Sequence, residues 1–252
     1  MLTVGSSMDI GDYPAGNIGE VTVFTNADEV ALYKNGVFVS KLSKGDWKGL
    51  PHGPMTLTDT LGDLLQTQEG FPEGKAKLLK KALLSAAKYG LGGMPLADRL
   101  RMAYGMVRYR MTLDDGIALY GKYIGNWGGE ATVWRFDAIK DSAVVKSVTC
   151  CPSAKLHLEV MPSHTVLAEG ATYDMAAVRI RILDEHGNPA PYAQLPVKFE
   201  VEGALELVGP DVAAAEGGMC GTYVRTTGET GKALLTVSAG DLAPAAVEFT
   251  MK

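Results

Sequence analysis

Cysteine is scarce in this 252-residue sequence, which contains only three. Cys150 and Cys151 are adjacent and could bridge each other only with severe strain, and Cys220 is distant in the chain. These thiols provide neither a disulfide framework nor the two thiolate pairs of a common structural zinc site. We therefore expect structural, reduced thiols, no bound metal and a cytoplasmic location.

Long apolar runs and basic blocks are also missing. No stretch approaches the roughly 20 apolar residues that a transmembrane helix needs, and the opening MLTVGSSMDIGDYP lacks the segments of a secretory signal. The net charge is −5, and no lysine- or arginine-rich block could neutralise a run of phosphates. The sequence therefore argues against membrane and nucleic-acid partners. Met1 is either the native start of a cytoplasmic protein or a boundary introduced by cloning.

Catalytic motifs are equally hard to find. None of the four histidines has a metal-ligand spacing, no phosphate-binding glycine loop occurs, and the cysteine of GGMCG (217–221) lacks the strand–turn–helix context of a nucleophile. Glycosidase chemistry needs two carboxyl groups roughly 5–10 Å apart. Three pairs of acids are candidates, and each has a local explanation in a loop, a strand connection or a helix cap: Asp9/Asp12, Asp28/Glu29 and Asp114/Asp115. We predict no catalytic, cofactor-binding or metal-binding residue.

The first regular pattern is a β-hairpin at residues 21–42. Apolar residues alternate with polar ones, and Asn35-Gly36 is the strongest short signal for a type I′ turn, because both residues tolerate a positive φ. A two-residue loop there pairs Tyr33 with Phe38 and Leu32 with Val39. Both faces of the hairpin contain apolar residues, so we expect both to be covered.

As far as residue 127, the apolar residues then recur with the spacing of helices. Pro72 and Gly90 bound the second helix, Pro95 opens the third, and Thr112 with Asp115 makes a capping pair for the fourth. Four helices with one apolar face each can form a small bundle. The stripes that we predict to be buried are Leu57, Leu61, Leu64 and Leu65; Ala76, Leu79, Ala82, Leu83 and Ala86; Leu96, Leu100, Ala103, Val107 and Met111; and Leu113, Ile117, Tyr120 and Ile124.

The alternation of apolar and polar residues that is typical of strands returns at 131–140 and continues to the end of the chain. About seven short strands in the last hundred residues, separated by Gly, Pro and Asn turns, indicate an immunoglobulin-like sandwich. The predicted fold is mainly β with an α-helical insertion, and consists of two immunoglobulin-like β-sandwich domains, the first interrupted by a roughly four-helix subdomain. The expected ranges are a lead-in at 1–18, a first sandwich at 19–50 plus 128–152, a helical insertion at 51–127 and a second sandwich at 153–252.

Three tryptophans could stack on sugar rings. Trp127, in GNWGGE, and Trp47 are the candidate carbohydrate contacts, since glycines surround the first. The alternative that we favour for Trp127 is packing at the seam between helices and sheet. Trp134 falls within a predicted strand.

Several segments resemble the region that follows the catalytic barrel in family 2 glycoside hydrolases, particularly bacterial β-galactosidases. SSMDIGDYPAGNIGEVTVFTNADEVALYKNGVFV (6–39) is similar to their first C-terminal β-sandwich, and WGGEATVWRFDAIKDSAVVK resembles the second half of that sandwich. YDMAAVRIRILDEHGNPAPYAQLPVKFEVEG is similar to the immunoglobulin-like module that closes many such enzymes. The resemblance covers nearly the whole chain, and the helical insertion is its least diagnostic part.

The resemblance implies an accessory region rather than an enzyme. In that family two glutamates on an eight-fold barrel carry out retaining hydrolysis, and a barrel needs about 250 residues of alternating strand and helix. Neither glutamate motif matches a position in this sequence. The implied partner is the catalytic barrel of a parent enzyme, with a role in buttressing it, shaping substrate access or supporting homo-oligomer contacts. The alternatives are a carbohydrate-binding module, or an interaction module that docks through the helices.

Overall fold

In the computed structural model the chain divides into two compact units, Met1–Pro152 and Ser153–Lys252. No helix in the part of the chain that the structure describes is long and apolar enough to cross a membrane. The structure describes residues 1–9, 11, 18–45, 47–125, 131–152 and 155–252, without the side chain of Leu91.

Two antiparallel sheets form the β-structure of the first unit. Its strands are β1 (Leu2–Val4), β2 (Val21–Thr25), β3 (Glu29–Lys34), β4 (Val37–Ser43), β5 (Met55–Leu57), β6 (Trp134–Lys140) and β7 (Ala143–Cys150). The strand order is β1-β2-β5 in the smaller sheet and β4-β3-β6-β7 in the larger. Strands β3 and β6 are paired although about a hundred residues separate them in sequence, so the β-structure resumes where it was interrupted.

The hairpin turn between β3 and β4 has the predicted conformation. Asn35 and Gly36 both have positive φ, at 48° and 79°, and Tyr33 pairs with Phe38, with ring centroids 5.7 Å apart in an edge-on arrangement. The prediction that Leu32 pairs with Val39 is wrong. Leu32 lies opposite Ser40, because the register shifts at this point and an extra residue enters β4 as a bulge.

The expectation that both faces of this hairpin are covered is also wrong. Leu32 is fully buried, whereas Phe38 is 49% exposed. Because successive side chains of a strand point to opposite faces, the row that contains Tyr33 and Phe38 lies on the face turned away from the core. Apolar residues on both faces of this hairpin therefore do not imply that both faces are buried.

The segment before the second helix is a strand where the sequence predicts a helix. Met55–Leu57 forms β5 and pairs with Val21–Val23 of β2, and α1 is a single turn at Leu64–Thr67. The spacing of Leu57, Leu61, Leu64 and Leu65 correctly predicts burial, since all four are at most 7% exposed. It does not predict the backbone, because hydrogen bonds to β2 decide that segment.

Helix α2, Glu73–Gly93, follows its predicted stripe. The residues of the predicted stripe are all buried: Ala76, Leu79, Ala82, Leu83 and Ala86. Pro72 precedes the helix as its N-cap, and Gly90 interrupts it with a φ of 70°. These side chains join the two sheets in one apolar core, together with Leu32, Val23 and Phe136. The helices therefore share the core of the sheets and do not build a separate one.

Helix α3, Leu96–Arg108, is oriented opposite to its predicted stripe. Leu96, Leu100 and Val107 are 72%, 62% and 80% exposed. The buried residue of this helix is Gly105, where an added Cβ would collide with the Leu78 side chain of α2. Because Gly105 has no side chain, Leu78 of α2 approaches α3 closely on this face.

Helix α4, Leu113–Tyr120, begins as predicted. The Asp115 backbone amide donates to the Thr112 hydroxyl over 3.1 Å, and the Thr112 amide donates to the Asp115 carboxylate over 2.7 Å. Its predicted stripe is only partly buried, since Tyr120 is buried but Leu113 and Ile117 are exposed. A single π-helical turn, Gly121–Gly125, follows.

The second unit consists of two further sheets. Its strands are β8 (His157–Pro162), β9 (Val166–Leu167), β10 (Met175–Leu183), β11 (Pro196–Gly203), β12 (Leu205–Val208), β13 (Val212–Ala214), β14 (Met219–Thr226), β15 (Gly231–Ala239) and β16 (Ala245–Met251). The orders are β12-β14-β10-β8 and β13-β11-β15-β16-β9, and only the contact of β9 with β16 is parallel among the described strand pairs. The sequence predicts seven of these strands and misses β9 and β13, which are too short to show a period.

Alternation correctly predicts the core of the second unit. Ile180 and Ile182 of β10 are buried, as are Val197 and Phe199 of β11. Residues of both sheets belong to one apolar cluster, which also includes Phe249. The two sheets therefore cover a common core.

Two glycines that flank α1 make a matched test of the first unit. Gly62 and Gly70 both have positive φ, but a Cβ at Gly62 would overlap the Val39 carbonyl, whereas nothing lies within 4 Å at Gly70. We expect Gly62→Ala to lower the free energy of unfolding by about 2–4 kcal/mol and Gly70→Ala by about 1 kcal/mol. Urea unfolding followed by circular dichroism measures both, and equal losses would contradict a backbone contact at Val39.

Candidate functional site

Of the two tryptophans predicted to contact carbohydrate, the structure describes one. Trp127 lies outside the described residues. Trp47 is 48% exposed, and its indole Nε1 donates to the Pro54 carbonyl over 3.0 Å. Added Cβ atoms at Gly45 and Gly53 would collide with the ring, so the indole lies against glycine backbone. Trp47 is thus an exposed ring held in one orientation.

The third tryptophan lies in the core beside a buried lysine. Trp134 is 5% exposed, and the Lys34 ammonium lies 5.1 Å from the centroid of its ring. Lys34 is 8% exposed, and its Nζ donates to the Tyr123 carbonyl over 2.7 Å. Burial lowers the pKa of Lys34 from 10.5 to about 8. A signal for this lysine was available in the sequence, since Val30, Leu32 and Lys34 share the core-facing parity of β3.

Tyr123 connects this lysine to the end of α1. Its hydroxyl donates to Glu69 over 2.6 Å, and Lys122 also donates to Glu69, over 2.5 Å. The hydrogen bond from Lys122, and then that from Tyr123, lowers the pKa of Glu69. Burial, followed by the hydrogen bond to Glu69, raises the pKa of Tyr123. These contacts fix the π-helical turn at both its backbone and its side chains.

A small cavity lies next to this cluster. Its volume is about 50 Å³, and its lining is mostly apolar and includes Tyr123, Ile124 and Trp134. Pockets that hold small molecules typically measure about 300–1,000 Å³. The cluster of Lys34, Tyr123 and Trp134 is therefore suited to holding a turn in place rather than to binding a sugar.

The acids considered for glycosidase chemistry make local contacts. Asp9 accepts the amide of Gly11 over 2.9 Å, and Asp12 lies outside the described residues. Glu29 is paired with Lys41 at 2.9 Å on the protein surface, and Asp115 belongs to the capping box of α4. The contacts of these carboxylates are those of loops, strand ends and helix caps.

The second unit contains a serine, a histidine and an aspartate that sequence patterns did not single out. The Ser163 hydroxyl lies 3.0 Å from His164 Nδ1, and His164 Nε2 lies 3.9 Å from an Asp174 oxygen. The second distance is too long for a hydrogen bond. Asp174 instead accepts the amides of Ala168 and Met175, which lower its pKa. The trio therefore joins neighbouring segments and does not align a hydrolytic triad.

Replacing the buried ammonium provides a test of the Lys34 cluster. A lysine with a pKa of about 8 when folded and 10.5 when unfolded binds its proton less well in the folded state, so its contribution to stability becomes more favourable as the pH rises between those values. Relative to Lys34→Met, we expect the wild-type free energy of unfolding to increase by about 2–3 kcal/mol from pH 7 to pH 10. Paired urea titrations measure this difference, with Lys44→Met as the exposed control. A pH-independent difference would contradict the burial of the charge.

The second unit contains a range that matches a known family. The family description "Glycoside hydrolase family 2 C-terminal domain 5" matches residues 158–248. A β-galactosidase of Rhizobium radiobacter is 31% identical over 119 residues, which cover 46% of this chain and 82% of that protein. A β-galactosidase of Thermoanaerobacter pseudethanolicus is 33% identical over 97 residues, 38% of this chain and 13% of that protein.

A solved structure resembles the fold over nearly the whole chain. The crystal structure of a β-glycosidase from Bacteroides vulgatus superposes with a TM-score of 0.57 at 15% identity, covering 99% of this chain and 24% of that one. The chain spans only a small part of these longer proteins. The matches cover 13% and 16% of two curated β-galactosidases and 24% of the Bacteroides vulgatus β-glycosidase. The chain belongs to glycoside hydrolase family 2 and corresponds to the C-terminal region of its members.

Proposed function

We propose that the chain is the non-catalytic C-terminal accessory region of an enzyme that hydrolyses β-galactosides. The observation that carries the assignment to a C-terminal region is the match of residues 158–248 to C-terminal domain 5 of the family. The 31% identity to the Rhizobium radiobacter β-galactosidase supports the substrate class. The accessory region buttresses the catalytic barrel of the parent enzyme and shapes the approach to its substrate cleft. Homo-oligomer contacts are a further role that we assign to it.

The proposed domain organisation consists of two immunoglobulin-like sandwiches. The first comprises residues 19–50 and 128–152 and is interrupted by the helical insertion at 51–127, which also contributes strand β5 to the smaller sheet. The second comprises 153–252. The pairing of β3 with β6 across the insertion supports the first assignment. The match at 158–248 supports the second. We place the protein in the cytoplasm, in keeping with three cysteines that form no disulfide.

The proposal predicts that the chain alone hydrolyses no galactoside. In the resembled family the two catalytic glutamates lie on a barrel of parallel strands, and the strands that the structure describes form four open sheets instead. We expect the purified chain to release no chromophore from a nitrophenyl β-galactoside. Turnover that increases in proportion to the concentration of the chain, and that persists after further chromatography, would refute the proposal.

The DNA upstream of Met1 provides a second test, which does not depend on activity. A coding region for an alternating strand–helix barrel that continues into Met1 is the expected result. An unrelated upstream gene and an independent promoter would argue for a separately expressed module.

Carbohydrate binding is the second candidate function, and the geometry of Trp47 favours it. An exposed indole that is already fixed loses little conformational freedom when a sugar stacks on it. We expect Trp47→Ala to abolish the heat of binding in calorimetric titration with galacto-oligosaccharides, and Trp47→Phe to retain part of it. No heat from the wild-type chain at millimolar sugar would leave Trp47 as a structural residue, and Trp127→Ala tests the other predicted contact in the same way.

A further inference from the structure

Helix α3 exposes its apolar side chains to solvent, whereas an ordinary surface helix exposes its polar ones. The residues on its solvent side are mostly apolar, and we call them the outer face of α3: Leu96, Leu100, Ala103, Tyr104 and Val107. An ordinary surface helix turns such a stripe toward its own core and keeps polar residues outside. Contiguous exposed apolar residues of this kind often mark interaction sites in soluble proteins.

The inner side of α3 explains why the helix cannot simply turn over. The Ser85 hydroxyl of α2 donates to the Asp98 carboxylate over 2.7 Å, and Gly105 provides the flat contact for Leu78. Rotating the helix by half a turn would bury leucines but would break this hydrogen bond and lose the glycine contact. The exposed stripe is thus a consequence of a specific packing arrangement.

Arginines border the outer face on both sides. With 3.6 residues per turn, the five residues of the outer face occupy an arc of about 100°, and Arg99 lies on one edge while Arg101 and Arg108 lie on the other. Residues 73–111 contain nine lysines and arginines and two acids, a net charge of +7 in a chain whose net charge is −5. Within α3 itself three arginines stand against one acid, Asp98, which pairs with Arg101. The border of the stripe therefore has a net positive charge, which is complementary to an acidic surface.

The same charges disfavour a second copy of the chain as the occupant. In a two-fold symmetric pair the same patch meets itself. Two copies of α3, whether parallel or antiparallel, would bring one arginine-bearing edge against another. Juxtaposed like charges oppose such a contact. The occupant must combine an apolar ridge with acidic flanks.

We propose that the outer face of α3 docks onto an acidic, amphipathic protein surface, in which an apolar ridge meets the leucine stripe and carboxylates meet the arginines. This inference extends the accessory role proposed above, since the remainder of the parent polypeptide is where we expect that surface. Arginine and carboxylate form charge-assisted, bidentate contacts that also fix orientation. The leucine, tyrosine and valine side chains supply the buried apolar area.

Defined peptide probes test the chemistry of the occupant. Three helical peptides of about 20 residues, long enough to be helical in isolation, share one length: a leucine ridge with glutamate flanks, the same ridge with lysine flanks, and a serine ridge with glutamate flanks. Fluorescence anisotropy measures their binding to the full 252-residue chain. We expect the first peptide to bind at least about tenfold more tightly than the other two, and its affinity to fall with added salt.

Matched variants of the chain locate the contact. Leu100→Gln with Val107→Gln removes apolar area from exposed helix positions, and Arg99→Glu with Arg108→Glu reverses the border charges. Each pair should weaken binding of the acidic peptide about tenfold or more. The control, Lys44→Glu with Lys146→Glu, makes the same charge change outside α3 and should leave affinity within about twofold. Circular dichroism verifies that every variant is folded.

Several outcomes would overturn the inference. These are no saturable binding of the acidic peptide, equal binding of the lysine-flanked peptide, or variants that bind like the wild type. Dimerisation in light scattering that is abolished by Leu100→Gln with Val107→Gln would assign the face to a second copy. Binding to vesicles containing phosphatidylserine, lost in the same variant, would assign it to a membrane. None of these results involves galactoside turnover or the upstream DNA, so they are distinguishable from failure of the accessory role.

Discussion

The first unit depends on a single apolar core shared by two sheets and the inserted helices. Leu32 and Phe136, from strands distant in sequence, are fully buried with leucines of α1 and α2. The insertion therefore cannot be removed without uncovering the sheets, although it interrupts them in the sequence. Loop insertions are usually tolerated at small entropic cost, but this one provides part of the core of its host.

Periodic patterns predicted the elements whose own residues determine them. The type I′ turn at Asn35-Gly36, the buried stripe of α2 and the alternation of β10 and β11 were all found where expected. Patterns failed where a partner decides the outcome. Met55–Leu57 is a strand because β2 is available to pair with it, and α3 turns toward α2 the side that carries Gly105 and the hydrogen bond from Ser85 to Asp98. Neither partner can be identified from a local window of sequence.

The candidate site was also predictable only where local residues determine it. The family assignment follows from segments that resemble known relatives, and Trp47 is an exposed aromatic as the carbohydrate hypothesis requires. Lys34 was overlooked because a lysine at the end of a strand is usually solvated. Its parity with Val30 and Leu32 indicated burial, but only the fold supplies the Tyr123 carbonyl that accepts a hydrogen bond from its ammonium group.

The uncovered stripe on α3 has a consequence for the life of the protein in a cell. Chaperones and proteases act on chains that expose apolar side chains such as leucine, tyrosine and valine, which is normally the mark of unfolding. A fully folded copy of this unit exposes such side chains for as long as nothing covers the outer face of α3. Under the proposed docking, the partner covers these side chains, so quality control would remove unassembled copies although they are folded.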